Sequence, residues 1–112
     1  MRGEQQFLLL YTSFPDQHIA KQIAHALLEQ RLAACVNLLP EVTSFYRWQG
    51  ELCEGVEVAA IIKTDAACWD GIQAVFAEMH PYQTPVLVAL DVAKAPEALR
   101  AWVASSLALA EE

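Results

Sequence analysis

His80-Pro81-Tyr82-Gln83-Thr84-Pro85 is the densest run of chemically able side chains in the sequence, an imidazole and a phenol in a loop stiffened by two prolines. Such a pair can exchange protons, hydrogen-bond a ligand, or give one nitrogen to a metal. A purely structural role is equally available to it. His80 would then sit at a helix C-terminus, where a cation suits the dipole, with the prolines ending the helix. As acid and base, His80 and Tyr82 lack a second activating group, so the chain is read as non-enzymatic. As a metal ligand His80 stands alone, whereas zinc and copper sites want three or four N or S donors. Met79 continues an apolar helical stripe and reads as core.

The other candidates weigh less. His18 and His25 lie about two turns apart on a polar helical face, too far for one ion. Cys35 falls in a strand and Cys68 on a buried stripe, leaving Cys53 as the exposed thiol. Glu51, Glu54 and Glu57 surround a hairpin, either as a cation-attracting patch or as scattered surface acid. Glu57 interrupts an apolar strand, so its charge must face solvent or be paired. Tyr46 and Trp48 at a hairpin tip suit a protein interface better than a stacking platform.

Bulk composition narrows the function classes. The 112 residues are 55% hydrophobic and 19% charged, with seven basic against fourteen acidic residues and a net charge of −7. One domain spanning residues 1–112 is expected, and its apolar excess over a usual soluble surface predicts self-association. Clustered Lys and Arg are missing, which argues against a nucleic-acid partner, and cations are better company. The three cysteines show no metal-finger or disulfide spacing, so a reducing cytoplasm is expected. No apolar run approaches the ~20 residues needed to span a bilayer.

These side chains must be positioned by the elements around them. Phe7–Ser13 reads as a strand covered on both faces, and Ser13-Phe14-Pro15-Asp16 supplies the start of a helix that ends near Arg31 with Ile19, Ile23 and Leu27 inward. Ala33–Phe45 reads as a second strand whose Pro40 demands an edge or a bulge. Tyr46–Leu52 is expected as a hairpin tip and Val56–Thr64 as a third strand, with Glu57, Ala59, Ile61 and Lys63 on one face. Asp65 caps a second helix carrying Cys68, Ile72, Val75 and Phe76, then come Val86–Val92 as a fourth strand and a helix opened by Pro96, with Leu99, Trp102, Val103 and Leu107 inward. The order predicts an α+β, ferredoxin-like βαββαβ fold with an additional C-terminal helix and a four-stranded antiparallel sheet. That topology should gather Tyr11, Thr12, Tyr46, Trp48, His80 and Tyr82 at one rim. A phosphate cradle after the first strand is not expected, because Thr12–Asp16 lacks glycine and ends in an acid.

Arg31-Leu32-Ala33-Ala34-Cys35-Val36-Asn37, Pro40, Ser44, Tyr46, Trp48, Gly50, Glu57, Lys63-Thr64 and His80-Pro81-Tyr82 with Pro85 strongly resemble the CutA family of divalent-cation tolerance proteins. The resemblance spans nearly the whole chain. It implies a cytoplasmic homotrimer linked to copper and other divalent metal ions, related in architecture to PII nitrogen-signalling trimers. It also implies clefts between subunits formed by Cys35, Tyr46, Trp48, Glu57, Lys63, His80, Tyr82 and Trp102. The alternative is a PII-like signalling module whose clefts between subunits bind a small anion through Lys63 and Arg47 while its hairpin docks on a partner protein. Several positions depart from the pattern. Tyr11 and Met79 replace a cysteine and a histidine of copper-binding members, leaving His80 as the metal candidate, and Val86 and Leu99 replace a glutamate and an aromatic residue.

Overall fold

The computed structural model describes residues 5–108, so the expected unit of 1–112 reaches past the described residues at both ends. The elements run β1 (Phe7–Phe14), α1 (Gln17–Glu29), β2 (Cys35–Trp48), β3 (Glu51–Asp65), a 3-10 turn (Ala66–Cys68), α2 (Trp69–Met79), β4 (Leu87–Asp91) and α3 (Glu97–Ser106). All pairings are antiparallel and the strand order is β2-β3-β1-β4, the ferredoxin-like arrangement with an added helix.

Alternation decides which side of the sheet the helices cover. Leu8, Leu10, Thr12 and Phe14 of β1 and Val58, Ala60, Ile62 and Thr64 of β3 are buried on one face, where α1 brings Ala20, Ile23 and Leu27 and α2 brings Ile72, Val75 and Phe76. The two buried threonines satisfy their hydroxyls on backbone carbonyls, Thr12 on Val86 at 2.6 Å and Thr64 on Leu32 at 2.6 Å. Asp16 caps α1 by accepting from the Ile19 N–H at 2.9 Å. Asp65 accepts from the Gln6 and Ala67 N–H groups and so caps the 3-10 turn. α1 stops at Glu29, and Arg31 then takes a left-handed φ of 58° and donates to the Ser105 and Ser106 carbonyls, tying the start of the sheet to α3.

The hairpin is longer than the sequence suggests. Pairing continues without a wide tip to Trp48 and Glu51, leaving only Gln49 and Gly50 as the turn, both with positive φ. The polar residues Thr43, Ser44, Glu51 and Glu54 mask this strand character, because neither face of the projecting ribbon is covered and no apolar alternation marks it. Beyond the level of Phe14 and Val58 the ribbon runs on alone for roughly 23 Å at about 3.3 Å per residue. The chain is accordingly 50 Å long, with a radius of gyration of 15.0 Å where a compact chain of this length has about 13 Å. No atom lies within 4 Å of a Cβ built on Gly50, so Gly50→Ala tests backbone strain alone. A loss of about 1 kcal/mol is expected in thermal unfolding.

Pro40 sits in a bulge, as expected of a proline inside a strand. Leu39 pairs with Ala59 and Val42 with Glu57, so Pro40 and Glu41 face Val58 alone. The extra residue switches parity. Before the bulge Cys35, Asn37 and Leu39 share the face of Lys63, Ile61 and Ala59; after it Val42, Ser44, Tyr46 and Trp48 share the face of Glu57 and Cys53. Without it Phe45 and Arg47 would point that way.

The terminal helix differs from expectation at one residue. Val103 and Leu107 are buried and Leu99 is half-buried, but Trp102 is 49% exposed. A ten-residue helix crossing the end of the sheet buries only one narrow stripe, and Trp102 falls beside it.

Candidate functional site

The open face of the sheet carries two separate polar clusters. At the rim, the end of β1, the middle of β3 and the loop after α2 meet in a closed hydrogen-bonded ring. His80 takes extended geometry (φ −79°, ψ 130°) because Pro81 follows it, and this turns the imidazole back onto Phe14 and Phe76. Its ring stacks on both, at centroid distances of 5.4 and 5.6 Å, and the residue is 8% exposed. Nε2 lies 2.8 Å from the Ser13 carbonyl and Nδ1 3.2 Å from the Tyr82 N–H. A carbonyl can only accept and an N–H can only donate, so Nε2 carries the proton and Nδ1 is bare. Neither nitrogen is free for a metal or a substrate.

The same loop delivers Tyr82 to Glu57. The phenol donates to Oε2 at 2.8 Å, and the Ser13 hydroxyl reaches that oxygen at 3.4 Å, so the carboxylate that interrupts the apolar strand is paired by hydroxyls rather than by a cation. Burial is the main reason the Tyr82 phenol is pushed well above its ordinary value of 10.0, followed by its hydrogen bond to Glu57, the Glu57 charge, and smaller contributions from Tyr46 and Asp16. The linkage sign follows directly. An unfolded chain ionises Tyr82 near 10.0 while the fold holds the proton longer, so its contribution to stability is full below about pH 10 and declines as pH rises from there. In an alkaline absorbance titration one phenol is expected to ionise later than a free tyrosine, and Tyr82→Phe is expected to remove that late component.

The second cluster lies six residues along β3, roughly 20 Å away. Lys63 pairs across the ladder with Cys35, and its amine donates to Cys35 Sγ at 3.6 Å and to Asn37 Oδ1 at 2.8 Å. Tyr46 lies on the same face beyond Glu57, and Trp48 lies farther out beside the turn. Tyr11 sits mid-sheet between Ile61 and Val88, and Thr12 is buried on the opposite face. One chain therefore brings Glu57, His80 and Tyr82 together, joins Cys35 to Lys63 elsewhere, and leaves the side chains of Tyr46, Trp48 and Trp102 outside both clusters. Ser13, Phe14, Phe76 and Asn37 are read from sequence as parts of a helix start, an apolar stripe and a family motif, and not as site residues. Their only signal is register, which places Ser13 beside Ala59 and Asn37 beside Ile61.

A groove of about 440 Å³ runs between α2 and this loop, walled by Trp69, Phe76, His80, Tyr82, Pro85 and Leu87. Its wall mixes aromatic rings with the amides of Gln73 and Gln83. Among the described residues no three His, Cys, Asp or Glu side chains approach closely enough to hold a metal ion. Copper or zinc as a resident of one chain does not fit this donor set. No helix among the described residues is long and apolar enough to cross a membrane.

The profile of the CutA1 divalent ion tolerance protein family matches residues 8–106. The divalent-cation tolerance protein CutA of Thermus thermophilus is 40% identical over 89 residues, covering 80% of this chain and 86% of that protein. A solved Cut A1 structure from the same organism superposes with a TM-score of 0.88 at 36% identity, covering 90% of this chain and 98% of that one. A structure from Archaeoglobus fulgidus, described as a periplasmic divalent cation tolerance protein CutA, gives a TM-score of 0.86 at 30% identity over 89% of this chain and 97% of that one.

Proposed function

Because the chain belongs to the CutA1 divalent ion tolerance family, which is one of tolerance proteins and not of enzymes, we propose that it works as a cytoplasmic homotrimer in the response to copper and other divalent metal ions. One observation supports this above the others. The ribbon of β2 and β3 projects beyond the sheet with both backbone edges unpaired and with Phe45 74% and Leu52 79% exposed. A lone two-stranded ribbon is marginal in water, and free edges with apolar side chains invite a partner strand. The open face adds Leu39, Tyr11, Val88 and Leu90, all exposed in a single chain. Three copies joined through closed symmetry cover both features. Clefts between copies then become the place where Glu57 and Tyr82 of one chain meet Tyr46, Trp48 or Lys63 of another.

Within this reading a metal ion, where it binds, takes donors from more than one copy. The unpaired Cys35, Cys53 and Cys68 thiols favour a reducing compartment. The PII-like alternative needs its anion site between copies. Lys63 pairs opposite Cys35 and Arg47 opposite Leu52, eleven positions apart along β3, so they cannot grip one small anion within a chain.

Native mass measurement at low concentration tests the assembly. A species of three times 12.4 kDa is expected, and a single-chain mass overturns the proposal. Thermal-shift screening is expected to show stabilisation by divalent metal salts and none by nucleotides.

A further inference from the structure

Outside the rim cluster, Cys35 and Lys63 form a chemically unusual pair, and it does not depend on the trimer. They are directly opposed across β2 and β3, which holds their Cβ atoms close whatever the side chains do. Lys63 has a thiol and an amide as its partners, both on β2, where a half-buried ammonium ordinarily finds a carboxylate. The Cys35 sulfur receives from Lys63 Nζ at 3.6 Å and gives its hydrogen toward Asn37 Oδ1 at 3.7 Å, both partners lying on the same side of it. Both residues are only half-buried in a single chain. Cys68, by contrast, is buried, and that burial pushes its thiol up, away from the reactive thiolate.

We propose that Cys35 and Lys63 are a peroxide-responsive pair that closes into a reversible sulfur–nitrogen cross-link between β2 and β3. The oxidant is hydrogen peroxide, and the step balances. The Cys35 thiolate, with the Lys63 ammonium as its counter-charge, attacks one peroxide oxygen; the O–O bond breaks, sulfur loses two electrons and becomes sulfenic acid, and the departing hydroxide takes the Lys63 ammonium proton to become the first water. The Lys63 amine, having released its ammonium proton, attacks that sulfur. The S–O bond breaks, an S–N bond forms, and the hydroxyl leaves with an amine hydrogen as a second water. Two equivalents of an external thiol reverse it, regenerating Cys35 and Lys63 and leaving as a disulfide. Closure fixes the two strands at the end of the sheet opposite the ribbon, in the register they already have.

Native protein treated with dilute peroxide at mildly alkaline pH, then mapped by mass spectrometry after digestion, tests this. The expected product is a mass loss of about 2 Da that joins the Cys35 peptide to the Lys63 peptide, with tryptic cleavage at Lys63 abolished, and full reversal by dithiothreitol. Lys63→Arg keeps the charge but forms no such link, and is expected to stop at sulfenic acid, a gain of about 16 Da that dimedone traps. Cys53→Ser is expected to leave the cross-link unchanged. Sulfenic or sulfinic acid at Cys35 in the wild type with Lys63 still cleaved overturns the proposal, as does an unmodified Cys35 under conditions that oxidise Cys53.

Discussion

Replacing His80 with alanine is expected to cost about 3–5 kcal/mol, read as the shift in denaturant midpoint at one fixed protein concentration. The magnitude comes from two losses that act together. The imidazole packs against both Phe14 and Phe76, whose own centroids are 6.0 Å apart, so truncation leaves a cavity lined by two aromatic rings. It also satisfies the Ser13 carbonyl and the Tyr82 N–H, which are left without partners at the edge of the core. His80→Phe separates the two, because it restores the stacked ring and none of the hydrogen bonds, and about half of the loss is expected to remain. The same variant addresses metal binding. Calorimetric titration of copper or zinc into His80→Phe is expected to give the heat seen with the wild type, since both nitrogens are already engaged. A heat signal abolished by His80→Phe in a folded protein would make His80 a ligand after all.

Charging the projecting ribbon is expected to act on assembly and leave the fold of the subunit alone. Phe45 and Leu52 lie on one side of the ribbon, beyond the reach of the helices, and neither belongs to the buried core. The double substitution Phe45→Lys with Leu52→Lys places two charges where a partner copy would bury apolar surface. At about 2 kcal/mol for each interface anchor, the dissociation constant should rise roughly a thousand-fold. Sedimentation at low concentration is expected to show single chains with unchanged far-ultraviolet circular dichroism. An intact three-chain species in the double variant would mean that the ribbon is not the seam, and the assembly would have to be sought on the open face.

The two experiments draw on different kinds of legibility. The three-and-four spacing of Ala20, Ile23 and Leu27 exposes the buried stripe of α1 directly. Phe7–Ser13, nearly continuous in apolar residues, reads as covered on both faces and is in fact open on the side of Leu9 and Tyr11, because a run without alternation does not say which face is covered. Asp16 and His80-Pro81 mark helix ends for the same local reason: their backbone preferences operate within a few residues. The length of the ribbon was not visible in that way, since its strands have no buried face to impress a pattern. Trp102 was misplaced because helical spacing identifies a stripe only to within a neighbour, and α3 packs on the sheet's end rather than its centre.

From residue types alone came the order of elements, an edge position or a bulge at Pro40, and a Glu57 charge that must face solvent or be paired. Which groups do the pairing, and which face Tyr46 and Trp48 share, depended on distances between segments far apart in the chain. Ser13 and Glu57 are 44 residues apart and Ser13 and His80 are 67, and no local preference encodes such meetings. Packing decided them. An imidazole packed against two phenylalanines had its hydrogen-bond partners chosen by what surrounds it, and that turned a candidate ligand into part of the scaffold.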